Sequence, residues 1–257
     1  MKIMTWNVNS IRSRLEHLLQ VLKDDQPDVV LLQELKALEE QVPIEEIETL
    51  GYNIAIWGQK TFNGVAIFSK YPLEDIQRGI PENDEDSQAR YIEAVTNGVR
   101  VASVYVPNGE APGTDKYAYK LKFLDLLTRH AQTLLSYDEK FVMGGDYNVA
   151  PQDLDVYDPK SWHEKILCST PEREHLRRLL YLGFTDALRD LYPDEENLYT
   201  WWDYRGVSWP SNKGLRIDHL FLSPQAADVL KNCEVNKGPR GWEKASDHAP
   251  VWCELKL

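Results

Sequence analysis

The chain of 257 residues is 42% hydrophobic, which is enough for a sizeable core and too much for a disordered chain. Its formal net charge of −12 at pH 7 argues against non-specific attraction of a polyanion, although lysines and arginines gathered on one face could still bind one. The sequence contains no apolar run near the roughly 20 residues that cross a bilayer, and its first residues lack a secretory signal.

Apolar runs and turn residues predict strands that alternate with helices. The first strand is predicted over residues 2–8, and Ser10 is placed to cap a helix that continues to about residue 23. A nearly continuous apolar run over residues 28–34 predicts a buried strand that ends in Glu34. Further strands are predicted over residues 63–69, 91–96, 100–106, 140–144, 215–223 and 251–257, and further helices over residues 117–136 and 172–182.

The dipeptide Asn97-Gly98 lies between two of the predicted strands and is the strongest short hairpin signal in the chain. A hairpin implies antiparallel strand pairs, so a purely parallel sheet is not expected. We predict an α/β fold with two mixed sheets packed face to face and helices outside. Because the sequence has no internal repeat, low-complexity tract or Gly/Ser linker, residues 1–257 are predicted to form one domain.

Five short polar clusters each follow an apolar run, where a rigid core would position them. They are Asn7-Val8-Asn9, Gln33-Glu34, Gly145-Asp146-Tyr147-Asn148, Arg216-Ile217-Asp218-His219 and Ser246-Asp247-His248. Together they supply four carboxylates (Glu34, Asp146, Asp218 and Asp247), three amides (Asn7, Asn9 and Asn148) and the imidazole of His248. This set matches the needs of phosphodiester hydrolysis, which are a base for the attacking water, a cation for the developing charge and a donor or metal for the leaving oxygen.

Carboxylate and amide oxygens suit Mg²⁺, whereas a zinc site would contain more histidine or cysteine. Cys168, Cys233 and Cys253 are too widely spaced for a metal-binding pattern or a disulfide framework, which favours a reducing cytoplasm. Each polar cluster alone has an ordinary interpretation, with Glu34 as a solvated strand end and Asp146 as a turn residue. The occurrence of all five clusters in one chain, each after a strand, favours a shared site.

Seven longer motifs, spread from the first residues to the last few, resemble those of bacterial exonuclease III and the related abasic-site endonucleases. They are residues 5–9 (TWNVN), 32–36 (LQELK), 104–109 (VYVPNG), 144–151 (GGDYNVAP), 199–205 (YTWWDYR), 214–219 (GLRIDH) and 246–251 (SDHAPV). Residues 157–166 (YDPKSWHEKI) resemble the bacterial branch more than the animal enzymes. In combination these motifs are highly specific.

The resemblance implies a four-layered α/β sandwich and a catalytic centre that binds Mg²⁺. Mn²⁺ is expected to substitute, and either one or two ions would be bound. Glu34 would be the main metal ligand, with Asn7 and Asn9 beside it. The metal region would also include Asp146, Asn148, Asp247 and His248.

The resemblance also implies chemical roles. Asp146 would take a proton from the attacking water or align it, and Asn148 would help to hold that water. Asp218 would orient His248, which would contact the scissile phosphate. A histidine held by a carboxylate has a fixed tautomer and a raised pKa, so it can donate a charge-assisted hydrogen bond. Tyr105 would place its phenol near the phosphate or the leaving oxygen.

Contacts to DNA are implied as well. The candidates are Asn9, Arg12, Arg90, Lys122, Trp201 and His248, with Lys116 and Lys120 as further cations near the motifs. For each cation, a solvated surface charge is the alternative interpretation. Adjacent tryptophans on a strand point to opposite faces, so either Trp201 or Trp202 is expected in the core. We favour Trp201 as the aromatic that lines the DNA pocket.

The implied function is DNA repair by phosphodiester hydrolysis. It comprises 3′→5′ exonuclease action on double-stranded DNA, 3′-end cleaning as a phosphatase or phosphodiesterase, and abasic-site cleavage in base excision repair. The expected partner is double-stranded DNA with 3′ ends, nicks or abasic sites. The protein is expected to be a cytoplasmic monomer that associates with the bacterial nucleoid and with no membrane.

Leu167 is bulkier than the small residue that abasic endonucleases tend to carry near this point, so we hypothesise that it favours 3′ ends.

Two alternatives stay open. DNase I-like nucleases, inositol-phosphate phosphatases and sphingomyelinases share the arrangement of asparagine, glutamate, aspartate and histidine, although residues 199–205 and 214–219 favour exonuclease III. The second alternative is a catalytically inactive DNA-binding relative, although every expected catalytic position carries a competent residue.

Overall fold

The computed structural model describes residues 1–83 and 86–257, which form two six-stranded β-sheets. The strands of the first sheet are β1 (Lys2–Asn7), β2 (Val29–Gln33), β3 (Asn53–Trp57), β4 (Val65–Ser69), β11 (Leu230–Val235) and β12 (Val251–Leu255). They lie in the order β11, β12, β1, β2, β4, β3. The pair β1–β2 is parallel and the other pairs are antiparallel, so the sheet is mixed as predicted.

The second sheet has the same mixed character. Its strands are β5 (Glu74–Arg78), β6 (Tyr91–Thr96), β7 (Val99–Tyr105), β8 (Phe141–Asp146), β9 (Thr185–Asp186) and β10 (Asp218–Leu222), in the order β5, β6, β7, β8, β10, β9. Only the pair β7–β8 is parallel. The predicted hairpin joins β6 to β7, and its turn residues Asn97 and Gly98 have the left-handed φ angles of 48° and 73° that such a turn requires.

Helices pack around the two sheets. They are α1 (Leu15–Asp25), α2 (Ile44–Glu48), α3 (Asp115–Leu135), α4 (Pro159–Trp162), α5 (Thr170–Leu180), α6 (Ala187–Leu191) and α7 (Pro224–Ala227). The short helices α6 and α7 contribute buried residues to the core between the sheets. Helix α1 packs on the first sheet, whereas α3 and α5 pack on the second. The predicted four-layered α/β sandwich is therefore confirmed. In the part of the chain that the structure describes, no helix is long and apolar enough to cross a membrane.

The central strands carry apolar residues on both faces over most of their length, because both faces are buried. Ile3 and Leu31 point toward the second sheet, whereas Met4 and Leu32 point toward α1. This alternation follows from the two-residue period of a strand. Each such side chain contributes about 1.5–3 kcal/mol when it is fully buried, so the three apolar layers hold the sheets rigidly together.

The inner faces of the sheets become polar toward one end of the sandwich. Gln33 donates hydrogen bonds to Ser103 Oγ at 2.9 Å and to Thr5 Oγ1 at 3.1 Å, which joins the two sheets. The sheets meet closely at Gly144, because a Cβ there would lie 2.7 Å from side-chain atoms of Leu31 in the first sheet and Leu220 in the second. Beyond Gln33 and Gly144, the side chains on the inner faces are the polar residues at the strand ends.

Some element boundaries differ from the predictions. Helix α1 begins at Leu15, not next to Ser10, because Asn9 and Ser10 both have left-handed backbones with φ of 45° and 88°. Strand β10 begins at Asp218, and Leu215 forms only isolated bridges to Val156 and Trp201. The last strand ends at residue 255. Strands β3, β5, β9 and β11 were not predicted, and β5 is exposed along its whole length, so it lacks the apolar alternation on which prediction depends.

Candidate active site

The five polar clusters meet at one end of the interface between the sheets. Strand pairing brings them together, since Asp146 at the end of β8 is the register partner of both Tyr105 at the end of β7 and Asp218 at the start of β10. In the other sheet, Asn7 at the end of β1 pairs with Gln33. Strand register, which places these side chains on the inner faces, thus assembles the site.

Asn7 links the two carboxylates that face each other across the sheets. Its Nδ2 donates to Glu34 Oε1 and to Asp146 Oδ2, both at 2.9 Å, and the Asn7 side chain is fully buried. Glu34 also accepts a hydrogen bond from the Tyr105 hydroxyl at 2.9 Å. The Lys36 ammonium lies 2.7 Å from the second oxygen of Glu34, so this carboxylate is already paired with one positive charge.

A metal ion could be held by Glu34, Asp146 and His248, whose ligand atoms all lie within 4.8 Å of one another. The two carboxylates supply hard oxygen donors, which fit a divalent cation that keeps several of its water ligands. His248 could join them as a ligand only as a neutral imidazole. Glu34 has a left-handed φ of 53° and Asn148 one of 49°. Such a backbone costs roughly 1–3 kcal/mol in a residue other than glycine and occurs preferentially at functional sites.

Asp218, His248 and Asp146 form a line of alternating charge. His248 Nδ1 lies 2.9 Å from Asp218 Oδ2, and its Nε2 lies 3.7 Å from Asp146 Oδ2. Burial alone would lower the pKa of His248, but the carboxylates of Asp218 and Asp146 outweigh it and raise the pKa to about 10. The imidazole therefore carries a positive charge at neutral pH. Thr200 holds Asp218 in place by donating to its Oδ2 at 2.6 Å.

Asp146 has the properties of a base poised near neutrality. Burial raises its pKa to about 7, because the positive charge of His248 does not fully offset burial and the negative charges of Asp218 and Glu34. The backbone N–H of Asn148 donates to Asp146 Oδ1 at 2.9 Å, and the Asn148 side chain lies 3.3 Å from Oδ2. Both carboxylate oxygens are thus oriented, and one edge of the group faces His248.

Comparison with known proteins identifies the family of the chain. The profile described as the Endonuclease/Exonuclease/phosphatase family matches residues 4–248. The chain belongs to this family. It is 35% identical to exodeoxyribonuclease III of Haemophilus influenzae, with 100% of both chains covered. The family predicted from the motifs, that of bacterial exonuclease III and the abasic-site endonucleases, is therefore confirmed.

Solved structures of the Endonuclease/Exonuclease/phosphatase family agree. The 3′-5′ exonuclease NExo from Neisseria meningitidis superposes with a TM-score of 0.97 at 44% identity, with 100% of both chains covered. A structure of the 3′ phosphatase NExo from Neisseria, bound to a product DNA hairpin, superposes with a TM-score of 0.98 at the same identity and coverage. Nucleases of this family depend on a metal ion, which is consistent with the cluster of Glu34, Asp146 and His248.

Asp247 lies beside this cluster and is bound to other groups. Its oxygens accept hydrogen bonds from Asn9 Nδ2 and from Trp201 Nε1, both at 2.9 Å. Burial would raise the pKa of Asp247, but the charge of His248 and these two hydrogen bonds lower it. The Lys36 ammonium lies 2.6 Å from Asn9 Oδ1. The role of Asp247 as a metal ligand stays a prediction.

The two adjacent tryptophans have different environments. Trp202 is fully buried, and its indole N–H donates to Asn212. Trp201 is partly exposed and packs against the apolar cluster that contains Leu167 and Ile217. This geometry is consistent with the prediction that Trp201 lines the pocket.

The basic residues predicted to contact DNA lie in different environments. Arg90 lies over the Tyr105 ring, 4.9 Å from its centroid, and lines a cavity of about 410 Å³ that opens next to the site. Arg12 is exposed, near Asn9 in the chain. Lys122 is exposed on α3 and lines a separate cavity. The interpretation of Lys120 as a phosphate ligand is wrong, because its side chain is fully buried.

Several residues that position the site were not singled out from the sequence. Lys36 and Thr200 lie within the motifs of residues 32–36 and 199–205. The motifs therefore pointed to these two residues but did not indicate what they contact. Arg14 donates to the backbone oxygens of Asn9 and Lys244, at 2.5 and 3.1 Å, and so fixes the turn that carries Asn9. An arginine on the first turn of a predicted helix gives no indication of that contact.

A buried ion-pair network fixes the strand that carries Asp218. Asp155 accepts hydrogen bonds from Arg216 Nε at 2.7 Å and from Arg189 Nη2 at 2.6 Å, and Arg216 also donates to Asp186 at 2.7 Å. Burial would raise the pKa of Asp155, but the two arginines lower it to about 2. Asp155 thus ties the segment that leads to Leu167 to the start of β10.

The lowered pKa predicts how stability depends on pH. A carboxylate with a depressed folded-state pKa stabilises the fold above its unfolded pKa of about 4, and this contribution is lost as pH falls through about 2. We expect Asp155→Asn to be destabilised relative to the wild type at neutral pH, with the difference shrinking by about 2 kcal/mol as pH falls to about 2. Urea unfolding at a series of pH values measures this difference, and a constant difference would contradict the account.

Proposed function

We propose that the protein is a Mg²⁺-dependent phosphodiesterase that acts on double-stranded DNA at 3′ ends, nicks and abasic sites. It would work as a 3′→5′ exonuclease, a 3′-phosphatase or phosphodiesterase and an abasic endonuclease in base excision repair. The observation that carries this proposal is the buried line of Asp218, His248 and Asp146 beside Glu34. The nuclease relatives, and the DNA product bound to one of them, support DNA as the substrate.

Asp146 is the group that would accept the proton of the attacking water. Its carboxylate is oriented by Asn7 and by the backbone of Asn148, so it needs no rearrangement before it acts. General-base action of this kind typically supplies about 10²–10⁴-fold in rate. The Asn148 Nδ2 donates to Val106 O at 2.9 Å and to Asp146 Oδ2 at 3.3 Å, so its Oδ1 would accept a hydrogen bond from the attacking water next to that base.

His248 would stabilise the negative charge that develops on the phosphate. Asp218 holds Nδ1, so Nε2 is the ring nitrogen that can donate to a phosphate oxygen, and the positive charge strengthens that bond. Tyr105 lies on the other side of the cluster, where its hydroxyl could approach the leaving oxygen. Mg²⁺ held by Glu34, with Asn7, Asp146 and His248 nearby, would add neutralisation of the phosphate charge.

Metal dependence provides the first test. Purified protein would be incubated with an end-labelled duplex that has a nick ending in 3′-phosphate, in the presence of Mg²⁺, Mn²⁺ or EDTA. We expect release of phosphate with Mg²⁺, activity also with Mn²⁺, and none with EDTA. Full activity in EDTA would contradict the metal role of Glu34. Absence of product under every condition would favour an inactive binder or a phosphatase of another substrate class.

We further propose that Leu167 biases the enzyme toward 3′ ends. Leu167 is buried in one apolar cluster with Ile217, against which Trp201 packs, and its carbonyl oxygen accepts a hydrogen bond from Ala150 N at 2.8 Å, two residues after Asn148. Its φ of 74° is strained for leucine and normal for glycine, so the backbone itself would tolerate Leu167→Gly. Fold and site geometry should therefore survive this change.

Leu167→Gly is expected to raise abasic cleavage relative to 3′-phosphate release by at least about tenfold, because side-chain bulk leaves the pocket. The measurement compares kcat/KM on an internal abasic duplex with that on a nicked 3′-phosphate duplex. Leu22→Ala, which opens a cavity between α1 and the first sheet, is the matched control and should leave the ratio unchanged. An unaltered ratio of abasic cleavage to 3′-phosphate release in Leu167→Gly would contradict the hypothesis.

Three further points stay proposals. We propose that residues 1–257 form one domain, which is supported by the pairing of β1 with β12. We propose that the protein acts as a monomer, since all the predicted catalytic groups come from one chain. A cytoplasmic location near the nucleoid is proposed from the substrate and from the unpaired, buried cysteines.

A further inference from the structure

Lys120 on α3 and Glu172 on α5 form an ion pair behind the site, and both side chains are fully buried. Desolvating two charges is unfavourable, and a buried pair is often no more stabilising than apolar residues of the same volume. The pair therefore calls for an explanation other than stability, and its remaining hydrogen bonds supply one.

Lys120 directs its other two donors to the backbone of the site. Its Nζ donates to the carbonyl oxygens of Asn148 at 2.6 Å and Asn108 at 3.1 Å. Asn108 in turn donates from its side chain to Asn148 Oδ1 at 3.3 Å. Gly109 packs so closely that a Cβ there would lie 3.0 Å from the Lys120 stem. One ammonium thus fixes the loop of Asn108 and the loop of Asn148, and the Asn148 side chain lies against Asp146.

Glu172 directs its oxygens to the segment that contains Leu167. Oε1 accepts from the backbone N–H of Leu167 at 3.1 Å, and Oε2 accepts from the backbone N–H of Ser169 at 3.0 Å and from the Ser169 hydroxyl. These bonds hold Leu167 in its left-handed conformation. The same ion pair therefore joins the Asn148 loop to the Leu167 segment, and apolar replacements could fill the volume without binding any of these backbone groups.

We propose that Lys120 and Glu172 are positioning residues that set both the rate of hydrolysis and the choice between 3′ ends and abasic sites. They do so by holding Asn108, Asn148 and the Leu167 segment in a single arrangement. The inference rests on the proposed function and adds to it two residues that touch neither DNA nor metal. Displacing catalytic groups by about 1 Å can lower a rate about 10²-fold, so small movements of these loops have large consequences.

The test compares Lys120→Met, Glu172→Gln and Lys120→Arg with the wild type. Lys120→Met and Glu172→Gln are expected to lower kcat for 3′-phosphate release by about 10- to 100-fold, with KM nearly constant. They should also change the ratio of abasic to 3′-phosphate cleavage. Lys120→Arg keeps the donors and should recover most of the lost rate. Backbone amides of residues 167–169 should exchange hydrogen faster in the first two variants, which is a readout independent of activity.

Arg100→Met is the matched control, because Arg100 is buried and pairs with Glu93 and Glu139 at the opposite end of β7. It should lower stability without changing the substrate ratio or exchange at residues 167–169. Equal kcat losses in Arg100→Met and Lys120→Met, or unchanged exchange in Lys120→Met, would overturn the proposal. If Lys120→Met fails to fold, Glu172→Gln carries the same readouts. An inactive wild type would refute the proposed function instead, and hydrogen exchange would still decide the positioning role.

Discussion

Replacing Asp146 by asparagine should abolish hydrolysis while leaving DNA binding intact. The variant keeps the shape of the side chain and loses its ability to accept a proton, so we expect single-turnover 3′-phosphate release to fall by about 10³- to 10⁴-fold. Binding should be unchanged or tighter, because one negative charge disappears beside the place where the phosphate would lie. Single-turnover kinetics on a nicked 3′-phosphate duplex and fluorescence anisotropy with the same duplex provide the two measurements.

Asp28→Asn is the control for Asp146→Asn, since it makes the same chemical change in a partly buried aspartate that precedes β2, at the end of the strand opposite Glu34. It should retain most of the activity under conditions where it is folded. Loss of binding in Asp146→Asn would mean that the carboxylate mainly maintains the structure. Retention of more than about a tenth of the wild-type rate would show that another group acts as the base.

The second large effect is expected at His248. Removal of one preorganised donor to a developing charge typically lowers a rate by about 10²- to 10³-fold, and His248→Gln should lose at least that much. His130→Gln is the control, because His130 bonds to Glu93 on the far side of the second sheet. The rate of 3′-phosphate release by the two variants, at equal folded fractions, measures the difference. Similar losses in both variants would contradict a catalytic role for His248.

The role of Asp218 should be visible in how the activity of Asp218→Asn depends on pH. The pKa of His248 is raised to about 10 mainly by Asp218, so wild-type His248 stays charged well above neutrality. Without that carboxylate its pKa falls, and the charged form is lost as pH rises through the lower value. We expect the relative activity of Asp218→Asn to decline with rising pH in the neutral range. A loss of rate that is the same at every pH would indicate that Asp218 only holds the ring in place.

Strand ends and motifs made the architecture and the central residues predictable. The apolar runs before Asn7, Glu34 and Asp146 are long enough to define buried strands. The polar residues that follow these runs were therefore predicted at the strand ends. The turn Asn97-Gly98 correctly indicated an antiparallel pair. What brings Asp146 opposite Asp218 is strand register, which no local pattern in the sequence records.

The features that could not be predicted depend on contacts distant in the chain. Lys120 has the sequence context of a surface lysine, and only the packing of α3 against α5 places it next to Glu172. The helix predicted from Ser10 begins later because Asn9 is turned toward Asp247, 238 residues away. The choice between Trp201 and Trp202 also depended on which face of the segment meets the core.

One competition assay tests the central claim most directly. Purified protein would be given two end-labelled duplexes in the same tube, one with a nick ending in 3′-phosphate and one with an internal abasic site, in Mg²⁺ and in EDTA. The account predicts Mg²⁺-dependent repair of the 3′ end, slower cleavage of the abasic duplex, and no product in EDTA. Efficient abasic cleavage with an untouched 3′-phosphate, or product from either duplex in EDTA, would contradict it.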